Sequence, residues 1–170
     1  AKVTLAKTVS HGKDMDGSTT HSDIVVRYTY KDKGVLIGAS GSGTTSSDDG
    51  YGNITKGTVD QNYEIYCGKA KLARSHTVVN GWDVDGSITH SDIVVTYSYT
   101  REGVLTGARG RGITSSDDGY GNRTSGRIEQ EYRIYCGKAK LVRSHTIVDG
   151  RDRDGSTMHS DNVVIYSYTK

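Results

Sequence analysis

The sequence predicts an all-β protein: an up-and-down antiparallel meander of long strands, about ten in all, assembled from tandem 69-residue units. Three observations carry this. The stretch from Asp14 to Tyr30, an Asp-x-Asp-Gly-Ser head running into a Val-Val-x-Tyr-x-Tyr tail, returns at Asp83 to Tyr99 and at Asp152 to Tyr168, shifted by 69 positions each time. Aligned without gaps, 1–69 and 70–138 agree at 43 of 69 positions, and 70–101 and 139–170 at 22 of 32. No window sustains apolar residues at i, i+3, i+4 and i+7, and Thr, Val, Ile and Tyr dominate, which is strand chemistry. Proline is absent, so every backbone N–H is free to join a ladder.

The units are 1–69, 70–138 and a partial third, 139–170. The chain opens on Ala1 and stops within a unit, as expected of a piece of a longer array. Within a unit, four strand-like runs alternate with turn signals. Lys2–Ser10 precedes the polar loop His11 to Gly17. Ser18–Tyr30 precedes Lys31-Asp32-Lys33-Gly34, with Gly at its close. Val35–Ser47 leads to Asp48-Asp49-Gly50-Tyr51-Gly52. Asn53–Cys67 leads to Gly68-Lys69, a Gly-x pair suited to a two-residue type II′ hairpin.

Turns this short demand antiparallel neighbours, because parallel pairing needs a crossover of a dozen or more residues. The meander then lies open as a twisted sheet or closes in a barrel-like way; a parallel solenoid is the second arrangement. Cys67 and Cys136 separate the two. In a meander they lie four strand spacings apart, about 19 Å at ~4.8 Å each, beyond the ~7 Å Cα limit for a disulfide. In a solenoid they would stack.

Leu, Ile, Val and Phe together make about 19% of the chain, at the edge of the range associated with disorder. The net charge of only +2 and the twelve tyrosines point instead to an ordered structure with a thin core. In the run from Ser18 to Tyr30, Ile24, Val26, Tyr28 and Tyr30 share one face with Ser18, Thr20 and Ser22, while His21, Asp23, Val25, Arg27 and Thr29 share the other. That pattern fits a sheet wetted over much of its surface. Lys and Arg are interspersed with Asp and Glu, which leaves nucleic acid no electrostatic footprint. No stretch approaches the ~20 apolar residues of a membrane span.

Tyr28-Thr29-Tyr30-Lys31-Asp32-Lys33-Gly34-Val35-Leu36, and again Tyr97 to Leu105, resembles the Tyr-x-Tyr-Asp-x-x-Gly-Arg-Leu core of YD (RHS-type) repeats. Lys31 and Thr100 stand where those repeats have Asp, and Val35 and Val104 where they have Arg. The resemblance covers about nine residues per unit. It implies a long, spiralling β-sheet in a secreted or surface-displayed bacterial protein, and transfers no active site.

Several constellations bear on chemistry. The pairs Asp14/Asp16, Asp83/Asp85 and Asp152/Asp154, each followed by Gly-Ser, resemble the start of an oxygen-ligand Ca2+ loop. The twelfth position is Val25, Val94 or Val163 rather than Glu, which excludes an EF-hand; Asx-turn hydrogen bonds explain the same residues. Asn53-Ile54-Thr55 and Asn122-Arg123-Thr124 are N-x-Thr sequons in expected surface loops, candidate glycosylation sites in a secreted protein. His-Ser-Asp recurs at residues 21, 90 and 159, but on a strand the Ser points away from the His and Asp, so no local nucleophile–base pair forms. His76/His90 and His145/His159 could meet across a hairpin for zinc; cross-strand His–Asp pairing is the simpler account. Tyr51, Tyr120 and the loop residue Trp82 are candidate ligand-stacking aromatics.

The expectation drawn from these readings is a non-enzymatic, extracellular structural repeat protein. It would be a segment of a cell-surface fibre or filament, stalk or sheath that self-assembles through β-sheet edges. The alternatives are an adhesin or carbohydrate-binding module with glycan partners, and the wall of an RHS-like toxin shell.

Overall fold

The structure, a computed structural model, describes residues 2–168. Ten strands follow one another: β1 (Leu5–Lys13), β2 (Thr19–Tyr30), β3 (Leu36–Asp48), β4 (Ile54–Tyr66), β5 (Lys69–Trp82), β6 (Ile88–Tyr99), β7 (Leu105–Asp117), β8 (Arg123–Tyr135), β9 (Lys138–Arg151) and β10 (Thr157–Ile165). They pair strictly in chain order, all antiparallel, in one open sheet. The all-β meander of ten strands stands, and of the arrangements left open by the sequence the open sheet is the one adopted. Among the described residues the only helical element is a single 3-10 turn, Asp32–Gly34.

Turn chemistry sets the register, with two corrections to the sequence reading. The first strand runs on through His11, Gly12 and Lys13, pairing with Thr19–His21, because the loop needs only three residues. The amide of Gly17 bonds the carbonyl of Asp14, the amide of Asp14 bonds the carbonyl of Ser18, and Gly17 takes φ +91°. This is a turn closed by a left-handed glycine, which returns the chain in register after three residues. At the other end of the sheet the two-residue loop is Cys67-Gly68, not Gly68-Lys69, since Tyr66 pairs with Lys69. Both loop residues have positive φ, 47° and 75°, so the turn is type I′ rather than II′, the twist that suits a right-twisted hairpin.

The registers sort side chains onto two unlike faces. One cross-sheet row reads Thr8, Ile24, Gly43, Val59, Thr77, Ile93, Gly112, Ile128, Thr146 and Asn162. Its neighbours on that face run from Gly12 to Met158, from Ser10 to Ser160 and from Ala6 to Val164. These four rows across ten strands contain no Asp, Glu, Lys, Arg or His. The interleaved rows on the other face carry the strand charges and all six histidines, as in His11, His21, Ser46, Lys56, Asn80 and His90. We call these the neutral face and the charged face.

The sheet is a single layer. Val59 is the only buried apolar side chain among the described residues. The accessible surface is 11483 Å², whereas a compact protein of this mass would expose about 8,200 Å². What shields the neutral face is local. The Gln61 side chain lies across Gly41, where an added Cβ would come within 2.7 Å of its Oε1, and the Tyr63 hydroxyl donates to that same oxygen at 2.9 Å. Gly110, Gln130 and Tyr132 repeat the arrangement. The registers shift by one residue beside Tyr30, Tyr63, Tyr99 and Tyr132, bulges that raise the twist at that end of the sheet.

Candidate functional site

Because successive strands run in opposite directions, the loops β1–β2, β3–β4, β5–β6, β7–β8 and β9–β10 fall on one rim. That rim gathers Asp14, Asp16, Asp48, Asp49, Asp83, Asp85, Asp117, Asp118, Asp152 and Asp154, together with the candidate aromatics and both sequons.

Each Asp-x-Asp-Gly-Ser loop closes on itself. The amide of Ser18 donates to Asp16 Oδ1 at 2.9 Å, and its hydroxyl reaches Asp14 Oδ2 at 3.4 Å. Ser87 and Ser156 make the same pairs of bonds at 2.9 and 3.0 Å. The backbone N–H of the serine holds the carboxyls of Asp16, Asp85 and Asp154 below the usual range. Each loop offers two carboxylates already engaged by serine, against the six to eight oxygens that calcium takes. Among the described residues no group of three or more His, Cys, Asp or Glu converges as a metal site.

The sequon asparagines tie neighbouring loops together. Asn53 Nδ2 donates to Asp49 Oδ2 at 2.5 Å, while Asn53 Oδ1 accepts the amide of Val84 at 3.0 Å. Asn122 does the same between Asp118 and the amide of Arg153, at 2.5 and 2.9 Å. The Nδ2 atom that a glycan would occupy is the atom that holds the aspartate. Asp49 is further engaged by the amides of Tyr51 and Asn53, the Tyr51 amide being the main reason its carboxyl titrates low.

Tyr51 and Tyr120 stand at loop tips, 73% and 69% exposed. Trp82 is not in a loop: it closes β5, between Ile54 and Ile88 on the charged face. Its β-type environment is apolar on both sides, which the Gly-Trp-Asp sequence conceals. The three aromatics share a rim but stand on different hairpins. On the opposite rim Cys67 and Cys136 are exposed free thiols.

The histidines do not pair with each other as zinc would need. His76 Nε2 lies 2.8 Å from Asp92 Oδ1, and His90 Nδ1 lies 2.8 Å from Asn80 Oδ1. His145 and His159 reach Asp161 and Asp149, both at 2.7 Å. The exception was not foreseen: His11 and His21 sit directly across β1 and β2, Nδ1 to Nδ1 3.1 Å. Of each His-Ser-Asp triplet, the His and Asp lie on the charged face and the Ser on the neutral face, so the triplet assembles no nucleophile.

No family model matches the chain, and no curated protein is found that resembles it significantly.

Proposed function

We propose that this chain is a structural segment of an extracellular tandem-repeat fibre, stalk or sheath, built from 69-residue units and extended through the free edges of its sheet. The observation that carries the reading is the open meander itself: β1 and β10 each pair on one side only. In β1 the amide of Tyr28 bonds the carbonyl of Thr4. With the antiparallel alternation, Leu5, Lys7, Val9, His11 and Lys13 therefore turn their amides away from β2. In β10 the amide of Tyr166 bonds Val142, so Thr157, His159, Asp161, Val163 and Ile165 face outward in the same way. An unpaired ladder of this length is a template for another strand. N-glycans at Asn53 and Asn122 belong to the same proposal, as does secretion.

The test is to remove outward amides without touching the existing ladder, as proline does on an edge strand. The unmodified chain is expected to form end-to-end assemblies by electron microscopy. The Val9→Pro/Val163→Pro variant is expected to lose them while keeping its β-type circular dichroism. Equal assembly by both proteins would sink the proposal.

A second reading, a glycan-binding module, is favoured by one observation: Tyr51, Trp82 and Tyr120 are all solvent-accessible on a single rim. A glycan array with hits that vanish in Tyr51→Ala/Tyr120→Ala would support it over the structural one.

A further inference from the structure

The neutral face offers an interaction surface distinct from the sheet edges, and we infer that it is covered by the neutral face of a second copy of this chain, the two sheets stacking face to face. Charge divides the two faces. Four rows across ten strands without one ionisable side chain, in a protein that is 25% charged, is a complete segregation. Every His and every ionisable residue of those strand segments stands on the opposite face. Covering the charged face would strip water from rows of Lys, Arg, Asp and Glu, at a desolvation cost that pairing seldom repays. Covering the neutral face strips water only from hydroxyls, amides and aliphatic groups.

Shape points the same way. Side chains on the neutral face lie down over glycines rather than standing up: Gln61 over Gly41, and Val79 beside Gly57, where an added Cβ would meet its Cγ2 at 3.0 Å. The result is a low-relief surface against which another sheet can settle at the ~10 Å spacing of packed sheets. A second copy is the occupant the observations select. A neutral surface has no charge pattern to demand a partner of opposite sign, and two equal surfaces of low relief fit each other about a two-fold axis.

The area is also of the right size. Ten strands at ~4.8 Å by four rows at ~6.8 Å give each face a footprint of about 1,300 Å². Two such faces fall within the 2,000–5,000 Å² range of homodimer interfaces. The surface in excess of a compact protein of equal mass is about 3,300 Å². That excess is more than twice the footprint of one face, as expected of a sheet that is wet on both sides.

Sedimentation equilibrium tests the inference, and the edge-blocked Val9→Pro/Val163→Pro chain separates it from edge-to-edge growth. The blocked chain is expected to sediment at twice its 18.4 kDa. Adding Thr77→Lys or Ser91→Lys, each placing a charge near the middle of the neutral face, is expected to halve that mass with circular dichroism unchanged. Thr58→Lys, on the charged face, is expected to leave the dimer intact. A blocked chain that is folded and monomeric overturns the stacked pair even if the unmodified chain assembles through its edges. A Thr58→Lys variant that dissociates as readily as the neutral-face variants overturns it too.

Discussion

On one face of the sheet Gln61 and Ile24 lie flat across the glycines of a neighbouring strand; on the other, Lys7, His76 and Arg143 reach directly to half-exposed carboxylates. Both arrangements tie strands together, but their worth differs. The Lys7–Asp23, His76–Asp92 and Arg143–Glu131 contacts span 2.7 to 3.1 Å with side chains 28% to 53% exposed. Pairs this wet contribute from nothing to ~1 kcal/mol each. On the neutral face the same cross-strand reach is made by apolar and amide groups that shield the ladder below them. A sheet without a second layer in its own chain thus concentrates its packing on one side and leaves the other to solubility.

Two adjacent residues should separate the faces most strongly. Gly57 and Thr58 sit side by side on β4 but on opposite faces. A Cβ at Gly57 would meet the Val78 carbonyl at 2.7 Å and Thr45 Oγ1 at 2.9 Å. Gly57→Val is therefore expected to cost about 1–3 kcal/mol as overpacking, and Thr58→Val to stay within about 0.5 kcal/mol. Urea midpoints measure both. Equal shifts would erase the distinction between the faces.

A second, smaller effect is read from pH. Burial pushes the Tyr63, Tyr97 and Tyr132 hydroxyls above 10.0. Their contribution is full below pH 10.0 and is lost as pH rises through the raised folded values. The rim carboxyls of Asp16, Asp85 and Asp154 lie below 3.8. Their contribution is present above pH 3.8 and fades as pH falls through the lowered values. Melting temperature against pH should form a plateau with shoulders at both ends, the alkaline one tracking tyrosinate absorbance. A profile falling at the acid end alone would remove the tyrosines from the account.

On the charged face the cross-strand pairs are expected to be weak. A double-mutant cycle with His76→Gln and Asp92→Asn is expected to return a coupling of about 0.5 kcal/mol that shrinks with added salt. A coupling above about 2 kcal/mol would mean that this face holds the sheet together after all.

Much of this architecture is legible in the residues. The Gly-bearing loops divide the chain into ten runs, and their shortness forces antiparallel neighbours. Strand ends are less so: His11-Gly12-Lys13 reads as loop because it is polar and contains glycine, yet Gly12 is needed where Thr20 crowds the neighbouring strand. The turn lies at Cys67-Gly68, one residue before the Gly68-Lys69 that the sequence suggests, because cysteine rarely adopts positive φ and nothing in its chemistry announces that it will. Trp82 sits beside Gly81 and Asp83, which hides that Ile54 and Ile88 flank it. The two-face segregation is present in the residue parity of every strand. It emerges only once all nine registers are fixed, since a slip of one residue exchanges the faces.

The strand order also governs how the molecule carries load. Each strand is bonded only to its neighbours in sequence, and β1 and β10 lie nine spacings apart, about 43 Å. Tension applied between those two strands pulls across the ladders. It strains the hydrogen bonds at one edge first and peels the sheet one hairpin at a time, each freed strand of about 13 residues paying out roughly 45 Å of chain. Tension along the strand axes loads a whole ladder in shear. The sheet is thus compliant across its width and stiff along its strands, so that the direction of attachment decides whether it behaves as a shock absorber or as a strut.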